Sequence, residues 1–250
     1  MLITGIEGLN NMVTDRSYNY PSPSGTEMIL AAGRFAGINP GSTVLDFGSA
    51  FGEGPCVLAS HFRCKVMAFE TAYDKLSSAI TLSVNRTVSH LIDYHNEDLL
   101  KSPPEENLFD LAIIEGGSLK SRIAEPLFIK MWDLLQDRGW FSFSAPVLLQ
   151  QSLPPKLLSV YEAEGLLVAN EEELRDLAHR CGFDVQFTAL IPRSGWDNYF
   201  AHLAMHLEDS SGYYADSQKK MASHNQIDLF YRLDAFRYIG YLFCITRKRD

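Results

Sequence analysis

Short apolar runs alternate with longer amphipathic stretches along most of the chain. Apolar runs of about four to eight residues bounded by Gly, Pro or Asp predict strands, whereas apolar residues at a spacing of about three or four predict helices. The predicted strands are 42–48, 65–70, 89–94, 108–115, 140–144, 183–190 and 238–246. The predicted helices are 26–36, 54–61, 72–87, 119–135 and 171–181, and most of 193–238 has helical character. The pattern of residues 145–169 is ambiguous.

Alternation of strands and helices predicts a largely parallel sheet with helices on both faces. The stretch before the last strand is too long for an ordinary connection, so it predicts an inserted helical lid or an oligomer contact. We therefore expect a single domain, 1–250. Its parts are an N-terminal segment (1–24) that could close as a lid, a core (25–192 and 238–250) and a helical insertion (193–237).

The first predicted helix begins with a capping signal. Ser24 is followed three residues later by Glu27, which is the spacing of a capping box. In such a box the serine side chain accepts a hydrogen bond from a backbone N–H at the start of the helix.

Composition narrows the classes of function. The 250 residues carry a formal net charge of −9, which argues against nucleic acid and anionic membranes as partners. The chain has no apolar run of roughly 20 residues that could span a bilayer and no secretory signal at its start, so we expect a cytoplasmic protein. The four cysteines form no Cys-x-x-Cys pair. They are therefore expected to be buried free thiols, with neither a metal site nor a disulfide framework.

The candidate chemistry begins at residues 44–54, VLDFGSAFGEG, where an apolar strand runs into small residues and then into a helix. Gly48, Ala50 and Gly52 fall at alternate positions, which allows the backbone to pass close to a ligand. Asp46 precedes them. An acid there would repel the pyrophosphate of a dinucleotide such as a nicotinamide cofactor, but it suits an amino-acid moiety with an ammonium group.

This run resembles motif I of the class I S-adenosylmethionine-dependent methyltransferases, with Ala50 in place of the middle glycine. The resemblance implies a Rossmann-like, doubly wound, mostly parallel seven-stranded sheet with a helical insertion before the last strand. It also implies S-adenosylmethionine as the cofactor, which Asp46, Gly48, Ala50 and Gly52 would bind. Later positions match in order. The resemblance places Glu70 at both ribose hydroxyls, Asp98 at the adenine amino group and Leu99 beside the adenine ring. It also implies that Thr71, next to Glu70, and Glu115, at the end of the fourth strand, bind the cofactor.

The sequence says less about the molecule that accepts the methyl group. Residues 114–118, IEGGS, lack the Pro-Pro-Tyr-type motif of many amino-methylating enzymes of nucleic acids and proteins, and this favours a small molecule. The tail resembles small-molecule methyltransferases related to the ubiquinone and menaquinone biosynthesis type. Aromatic side chains at Tyr18, Tyr20, Trp196 and Tyr199 are candidates for substrate contact, because aromatic faces hold cations or stack on planar rings.

The sequence therefore predicts in-line transfer of a methyl group to an N, O, S or C atom of a small molecule. A base is expected only for a hydroxyl or an acidic carbon. Glu115 is the candidate for it, with His202 and His206 as alternatives, although the two histidines more often lie at a surface and no third metal ligand accompanies them. Other hypotheses are a methyltransferase of protein or RNA, a non-catalytic S-adenosylmethionine-binding module and, least favoured, a nicotinamide oxidoreductase. A homodimer is a further prediction.

Overall fold

A computed structural model describes residues 22–116, 119–163, 165–208 and 216–250. Its strands are β1 (Thr43–Phe47), β2 (Lys65–Phe69), β3 (Ile92–His95), β4 (Phe109–Ile114), β5 (Leu135–Leu148), β6 (Phe183–Leu190) and β7 (Ile239–Lys248). Its helices are α1 (Gly25–Ala36), α2 (Glu53–Phe62), α3 (Tyr73–Asn85), α4 (Ala124–Leu134), α5 (Pro155–Ala163), α6 (Glu171–Arg180), α7 (Arg193–Glu208) and α8 (Ser217–Arg232). Two short 3₁₀ turns, Ser89–Leu91 and Ala235–Arg237, precede β3 and β7.

The strands form one seven-stranded sheet in the order β3-β2-β1-β4-β5-β7-β6. All pairs are parallel except those of β7, which runs antiparallel to both β5 and β6. The prediction of a mostly parallel, seven-stranded, Rossmann-like sheet is confirmed. The inner strands are buried along most of their length, as expected for a sheet that helices cover on both faces.

The strand order places the ends of three strands together. Phe47 at the end of β1 is in register with Phe69 of β2 on one side and with Ile114 of β4 on the other. The chain moves outward in one direction from β1 to β2 and β3, then returns to continue on the other side of β1 with β4. Such a switch point leaves a crevice at the carboxyl ends of the strands, where ligands bind in open α/β sheets.

Strand β5 extends well beyond the predicted residues 140–144, because β7 pairs with it as far as Leu148 opposite Ile239. The pairing of β5 with β4 ends at Phe143. Pro146 has no N–H to donate to a neighbouring strand, and at its position no residue of β4 lies opposite to accept one. The remainder of the ambiguous stretch contains α5. The helix expected over 119–135 begins only at Ala124, since Lys120 first forms an antiparallel bridge with Leu166.

The helices α7 and α8 lie between β6 and β7 and are called the insertion below. Its apolar side chains pack together, with the Trp196 and Phe230 rings 4.8 Å apart. Trp196 also contacts Tyr241 of β7 edge-to-face at 5.3 Å, which attaches the insertion to the sheet. Among the helices of the described ranges, none combines the length and the apolar character of a bilayer-spanning segment.

The four cysteines are free and buried, as predicted. In the described part of the chain, no group of three or more His, Cys, Asp or Glu side chains is placed to hold a metal ion.

Candidate functional site

A cavity of about 930 Å³ lies at the carboxyl edge of the sheet, between the crevice and the helices above it. Its lower wall, called the floor, consists of residues that follow β1, β2, β3 and β4. Its opposite wall consists of residues of α5 and of the insertion. The cavity therefore opens at the switch point of the sheet and is covered by the segment that the sequence predicted as a lid.

The loop after β1 is wound tightly. Gly48, Ala50 and Gly52 all have positive φ angles, of 75°, 47° and 87°. A Cβ atom on Gly52 would lie 2.6 Å from the Cβ and 2.8 Å from the Cα of Ala79, so only glycine fits there. Ala50 occupies a left-handed conformation that is uncommon for a residue with a Cβ, and its N–H donates a hydrogen bond of 3.0 Å to Glu70 Oε2. The loop is thereby fixed to the end of β2.

Glu70 holds two turns in place and still has acceptor capacity. Besides the bond from Ala50, its Oε1 accepts a 2.8 Å hydrogen bond from the Ala72 N–H. A carboxylate oxygen can accept two hydrogen bonds, so each oxygen retains one for a ligand. Glu70 and Thr71 both line the cavity.

Glu115, directly after β4, is bound by hydroxyls through one oxygen only. Its Oε2 accepts hydrogen bonds from Ser24 Oγ (2.5 Å), Ser144 Oγ (2.7 Å) and Ser22 Oγ (2.8 Å). Its Oε1 is buried and has no hydrogen-bond partner among the described residues. A buried acceptor without a partner is unfavourable, so Oε1 is able to accept a hydrogen bond from a donor that enters the crevice.

The capping box predicted at Ser24 and Glu27 is wrong. Ser24 precedes α1 but makes no capping hydrogen bond, because its hydroxyl donates to Glu115, 91 positions away in the sequence. Local spacing contains no information about such a distant partner.

Burial raises the pKa values of two carboxyl groups near the crevice, those of Asp46 and Glu115. Burial, followed by the charges of Glu115 and Glu70, raises the pKa of Asp46 to about 8. Burial also raises the pKa of Glu115, although its three hydroxyl donors oppose this. Because burial and like charges both disfavour the ionised forms, a cation placed in the crevice would be attracted and would lower these pKa values.

Glu53, the first residue of α2, also lines the cavity and is buried. It forms a bidentate ion pair with Arg86 after α3, with Nη1–Oε1 at 2.8 Å and Nη2–Oε2 at 3.0 Å. The pair joins the start of α2 to the end of α3, so it supports the glycine loop from behind.

The insertion contributes the opposite wall through Tyr199, His202 and His206 of α7 and Lys219 of α8. His202 Nδ1 lies 3.0 Å from the carbonyl oxygen of Asn198; because a carbonyl only accepts, Nδ1 carries the proton. The His206 ring stacks on Phe51 of the glycine loop at 6.3 Å between centroids. The surface location expected for the two histidines is wrong, since His202 is buried and both line the cavity.

The structure brings most of the sequence-predicted residues to the crevice. Eight of them line the cavity: Gly48, Ala50, Glu70, Thr71, Glu115, Tyr199, His202 and His206. Asp46 and Gly52 lie behind the wall. A Cβ on Gly54 would lie only 2.7 Å from Asp46 Oδ2, which shows how closely α2 approaches that carboxyl group.

Besides Asp46 and Gly52, three further predicted contacts are not on the cavity wall. The Asp98 carboxylate forms an ion pair with Lys101 Nζ at 3.1 Å and accepts a hydrogen bond from the Leu100 N–H. Its neighbour Glu97 lines the cavity instead. Leu99 is fully buried in the core beneath the sheet edge, and Trp196 is buried within the insertion. Tyr18 and Tyr20 lie outside the described residues.

Sequence reasoning missed Glu97, Lys75, Lys120 and Lys219, which also line the cavity. Glu97 is adjacent to Asp98, the acid that the sequence predicted at the adenine, and lines the cavity where Asp98 does not. The lysines carry no motif, and only the topology brings them together.

No protein-family profile matches the chain, and no curated protein matches it in sequence. Solved structures match it in fold. A methyltransferase from Geobacter sulfurreducens, crystallised with S-adenosyl-L-homocysteine, is 18% identical with a TM-score of 0.74, and 100% of both chains is covered. A similar enzyme from Thiobacillus denitrificans, also with S-adenosyl-L-homocysteine, is 17% identical with a TM-score of 0.72 and the same 100% coverage of both.

The fold is that of S-adenosylmethionine-dependent methyltransferases. The same fold also occurs in the [4+2]-cyclase SpnF, which is 16% identical with a TM-score of 0.71 over 89% of this chain and 80% of that chain. The fold alone therefore does not fix the reaction, which must be argued from the site.

Proposed function

We propose that the protein is an enzyme that transfers a methyl group from S-adenosylmethionine to a small-molecule acceptor. The observation that carries the proposal is the pair Glu70 and Glu115 on the two sides of the glycine loop. Glu70 has an unused acceptor position on each oxygen after its two backbone bonds, and Glu115 Oε1 is buried without a partner among the described residues. Acceptors so placed match a ligand that brings hydroxyl and ammonium donors.

The residues present fit the cofactor. Glu70 would accept from the ribose hydroxyls, and Glu97 replaces Asp98 as the acid available to the adenine amino group. Asp46 and Glu115 would ionise beside the ammonium and sulfonium groups, because a bound cation lowers their pKa values, and the positive φ angles of Gly48, Ala50 and Gly52 would let the loop approach these groups closely. When bound, the cofactor supplies an activated methyl group on a sulfonium leaving group.

The chain's own residues would position the acceptor, exclude water and remove a proton where the chemistry needs it. An amine acceptor needs no strong base, whereas a hydroxyl or an acidic carbon does. The cavity wall offers Glu115, whose pKa is raised by burial, and His202, whose Nδ1–H is directed to Asn198 so that Nε2 is the ring nitrogen able to accept a proton. Tyr199 of the same wall remains the aromatic candidate for substrate contact.

A small acceptor is supported by the position of α5 and the insertion, which line the side of the cavity opposite the ends of the strands. The kinship with ubiquinone- and menaquinone-type enzymes, the cytoplasmic location, the homodimer and the division of the chain into core and lid stay predictions.

Calorimetric titration with S-adenosylmethionine, S-adenosylhomocysteine and NAD tests the proposal. We expect micromolar binding of the two adenosyl compounds and none of NAD. Glu70→Ala and Glu115→Gln should each weaken that binding at least tenfold, whereas Glu172→Ala, at an exposed position on α6, should not change it. Equal affinity in all variants would refute the site assignment, and binding of NAD alone would refute the cofactor.

A further inference from the structure

The two oxygens of the Glu115 carboxylate have different surroundings. Oε2 accepts hydrogen bonds from the hydroxyls of Ser22, Ser24 and Ser144. Oε1 is buried and has no hydrogen-bond partner in the part of the chain that the structure describes. Because the hydroxyls gather on Oε2, Oε1 is the oxygen left to meet a ligand. The three serines therefore determine which oxygen of Glu115 is available to the crevice.

Two of these serines belong to residues 22–24, directly before α1, which we call the strap. The strap is closed on itself, since the Gly25 N–H donates to the Ser22 carbonyl oxygen at 3.2 Å and the Ser24 N–H donates to Ser22 Oγ at 3.3 Å. The two hydroxyl oxygens lie 2.5 Å apart. The Ser22 and Ser24 side chains therefore approach Glu115 as one unit.

The insertion fixes the strap from the opposite side. A Cβ atom on Gly195, in the first turn of α7, would overlap the carbonyl oxygen of Pro23. The backbone of α7 therefore passes in direct contact with the strap. Since both Ser22 and Ser24 are buried, the strap has little room to follow Glu115 if that side chain turns.

The third hydroxyl is fixed by the sheet. Ser144 is fully buried in β5, where it pairs with Phe243 of β7. Its Oγ lies 3.1 Å from the Tyr241 hydroxyl and accepts a hydrogen bond of 3.3 Å from the Gly116 N–H. The Tyr241 hydroxyl can donate to Ser144 while Ser144 donates to Glu115. The backbone thus holds both the strap and Ser144 in place independently of the carboxylate that they bind.

We propose that Ser24 and Ser144 are positioning residues, which hold Glu115 by Oε2 so that Oε1 meets the positively charged part of the methyl donor. This inference rests on the proposed methyltransferase function. Neither serine lines the cavity, so both would act through Glu115. A carboxylate that is already oriented loses less freedom when the donor binds. Hydrogen bonds to its ionised form also oppose the rise in pKa that burial causes.

The test is calorimetric titration of single variants with S-adenosylmethionine. Ser24→Ala and Ser144→Ala should each weaken binding about fivefold or more, because each removes a hydrogen bond that orients the buried carboxylate. Ser24→Thr keeps the hydroxyl and should restore binding to within about twofold of wild type.

Ser142→Ala is the matched control. Ser142 lies two residues earlier on β5, on the same face of the strand, and is also fully buried. Its hydroxyl has no hydrogen-bond partner among the described residues, so its removal should change the affinity less than about twofold. Ser24 and Ser144 lie in separate parts of the fold, so either alanine variant carries the test if the other does not fold.

A double-mutant cycle separates positioning from general support of the fold. Glu115→Met keeps a side chain of similar length but has no carboxylate for the serines to orient. In that background Ser24→Ala and Ser144→Ala should each change the affinity for S-adenosylmethionine less than about twofold. A serine that only supports the fold would weaken binding equally with and without the carboxylate.

Wild-type affinity in both alanine variants would overturn the proposal. It would also be overturned if their losses persisted undiminished beside Glu115→Met, if Ser142→Ala weakened binding as much, or if Ser24→Thr bound no better than Ser24→Ala. Failure of the wild-type protein to bind S-adenosylmethionine is a distinct result, which would refute the proposed function itself.

Discussion

Replacing Asp46 by asparagine should stabilise the cofactor-free protein. Asp46 is buried at the end of β1, and its pKa is raised from 3.8 to about 8. Between these two values the folded protein keeps a proton that the unfolded chain has released. Stability therefore falls as the pH rises through that window, which is the behaviour of an acid whose pKa is higher in the folded state. Asparagine has a similar shape and does not ionise.

The size of this stabilisation follows from the raised pKa of Asp46. At pH 7 the unfolded carboxyl group is about three pH units above its pKa of 3.8, and each unit corresponds to about 1.4 kcal/mol. The folded protein is then destabilised by at most about 4 kcal/mol relative to a residue that does not titrate. For a chain of this size 1 kcal/mol changes Tm by roughly 2–4 °C, so Asp46→Asn should raise Tm by up to roughly 8–16 °C at pH 7.

Thermal and urea unfolding of the cofactor-free protein between pH 4 and pH 8.5 measure this. The gain in the free energy of unfolding of Asp46→Asn over wild type should be small near pH 4, grow through neutral pH and level off above the folded-state pKa of Asp46. Asp176→Asn, at an exposed position of α6, is the matched control and should follow wild type. The variant should also bind S-adenosylmethionine more weakly, because a negative charge near its cationic groups is lost. If Asp46→Asn were equally stable or less stable at every pH, the reasoning about the buried carboxylates would be refuted.

Two other substitutions test how the glycine loop is supported. Arg86→Met removes the guanidinium that pairs with the buried Glu53 carboxylate, so it should lower the free energy of unfolding by about 3 kcal/mol or more; a loss below about 1 kcal/mol in urea titrations would contradict this. Gly52→Ala should destabilise the protein more than Gly37→Ala and also weaken cofactor binding. Both glycines have positive φ, of 87° and 68°, but only a Cβ on Gly52 meets other atoms. Equal effects in calorimetry would show that backbone strain, and not the clash, determines the outcome.

The strands and the glycine loop could be predicted because their signals are local. The run from Val44 to Gly54 combines an apolar strand, small residues and a helix start within about a dozen positions, and each feature constrains the backbone directly. Glu70 was predictable for a related reason: it follows the second strand, and parallel strands end at the same edge. Regular alternation along the chain then fixed the fold class, although it did not fix how far β5 extends along β7.

Local signals do not predict whether a given polar side chain lies in solvent, in the core or on the cavity wall. Asp98 and Glu97 are adjacent acids, and only the turn after β3 decides which one faces the cavity. Ser24 has the spacing of a helix cap, yet a buried carboxylate from β4 is the stronger competitor for its hydroxyl. His202 and His206 looked like surface residues because their burial depends on how the insertion folds over the glycine loop.

Buried carboxylates show where stability and binding oppose each other in this molecule. Asp46, Glu70 and Glu115 stand at the ends of adjacent strands, and burial together with the charges of the two glutamates disfavours the ionised form of Asp46. Their mutual repulsion is relieved by a cation and is worsened when the cation becomes neutral. Methyl transfer turns a sulfonium donor into an uncharged thioether, so the same three groups that favour the donor should hold the product less tightly. If these carboxylates bind the methyl donor as proposed, the buried Asp46 disfavours the folded protein without ligand, and the same charges would favour the charged donor over the spent one.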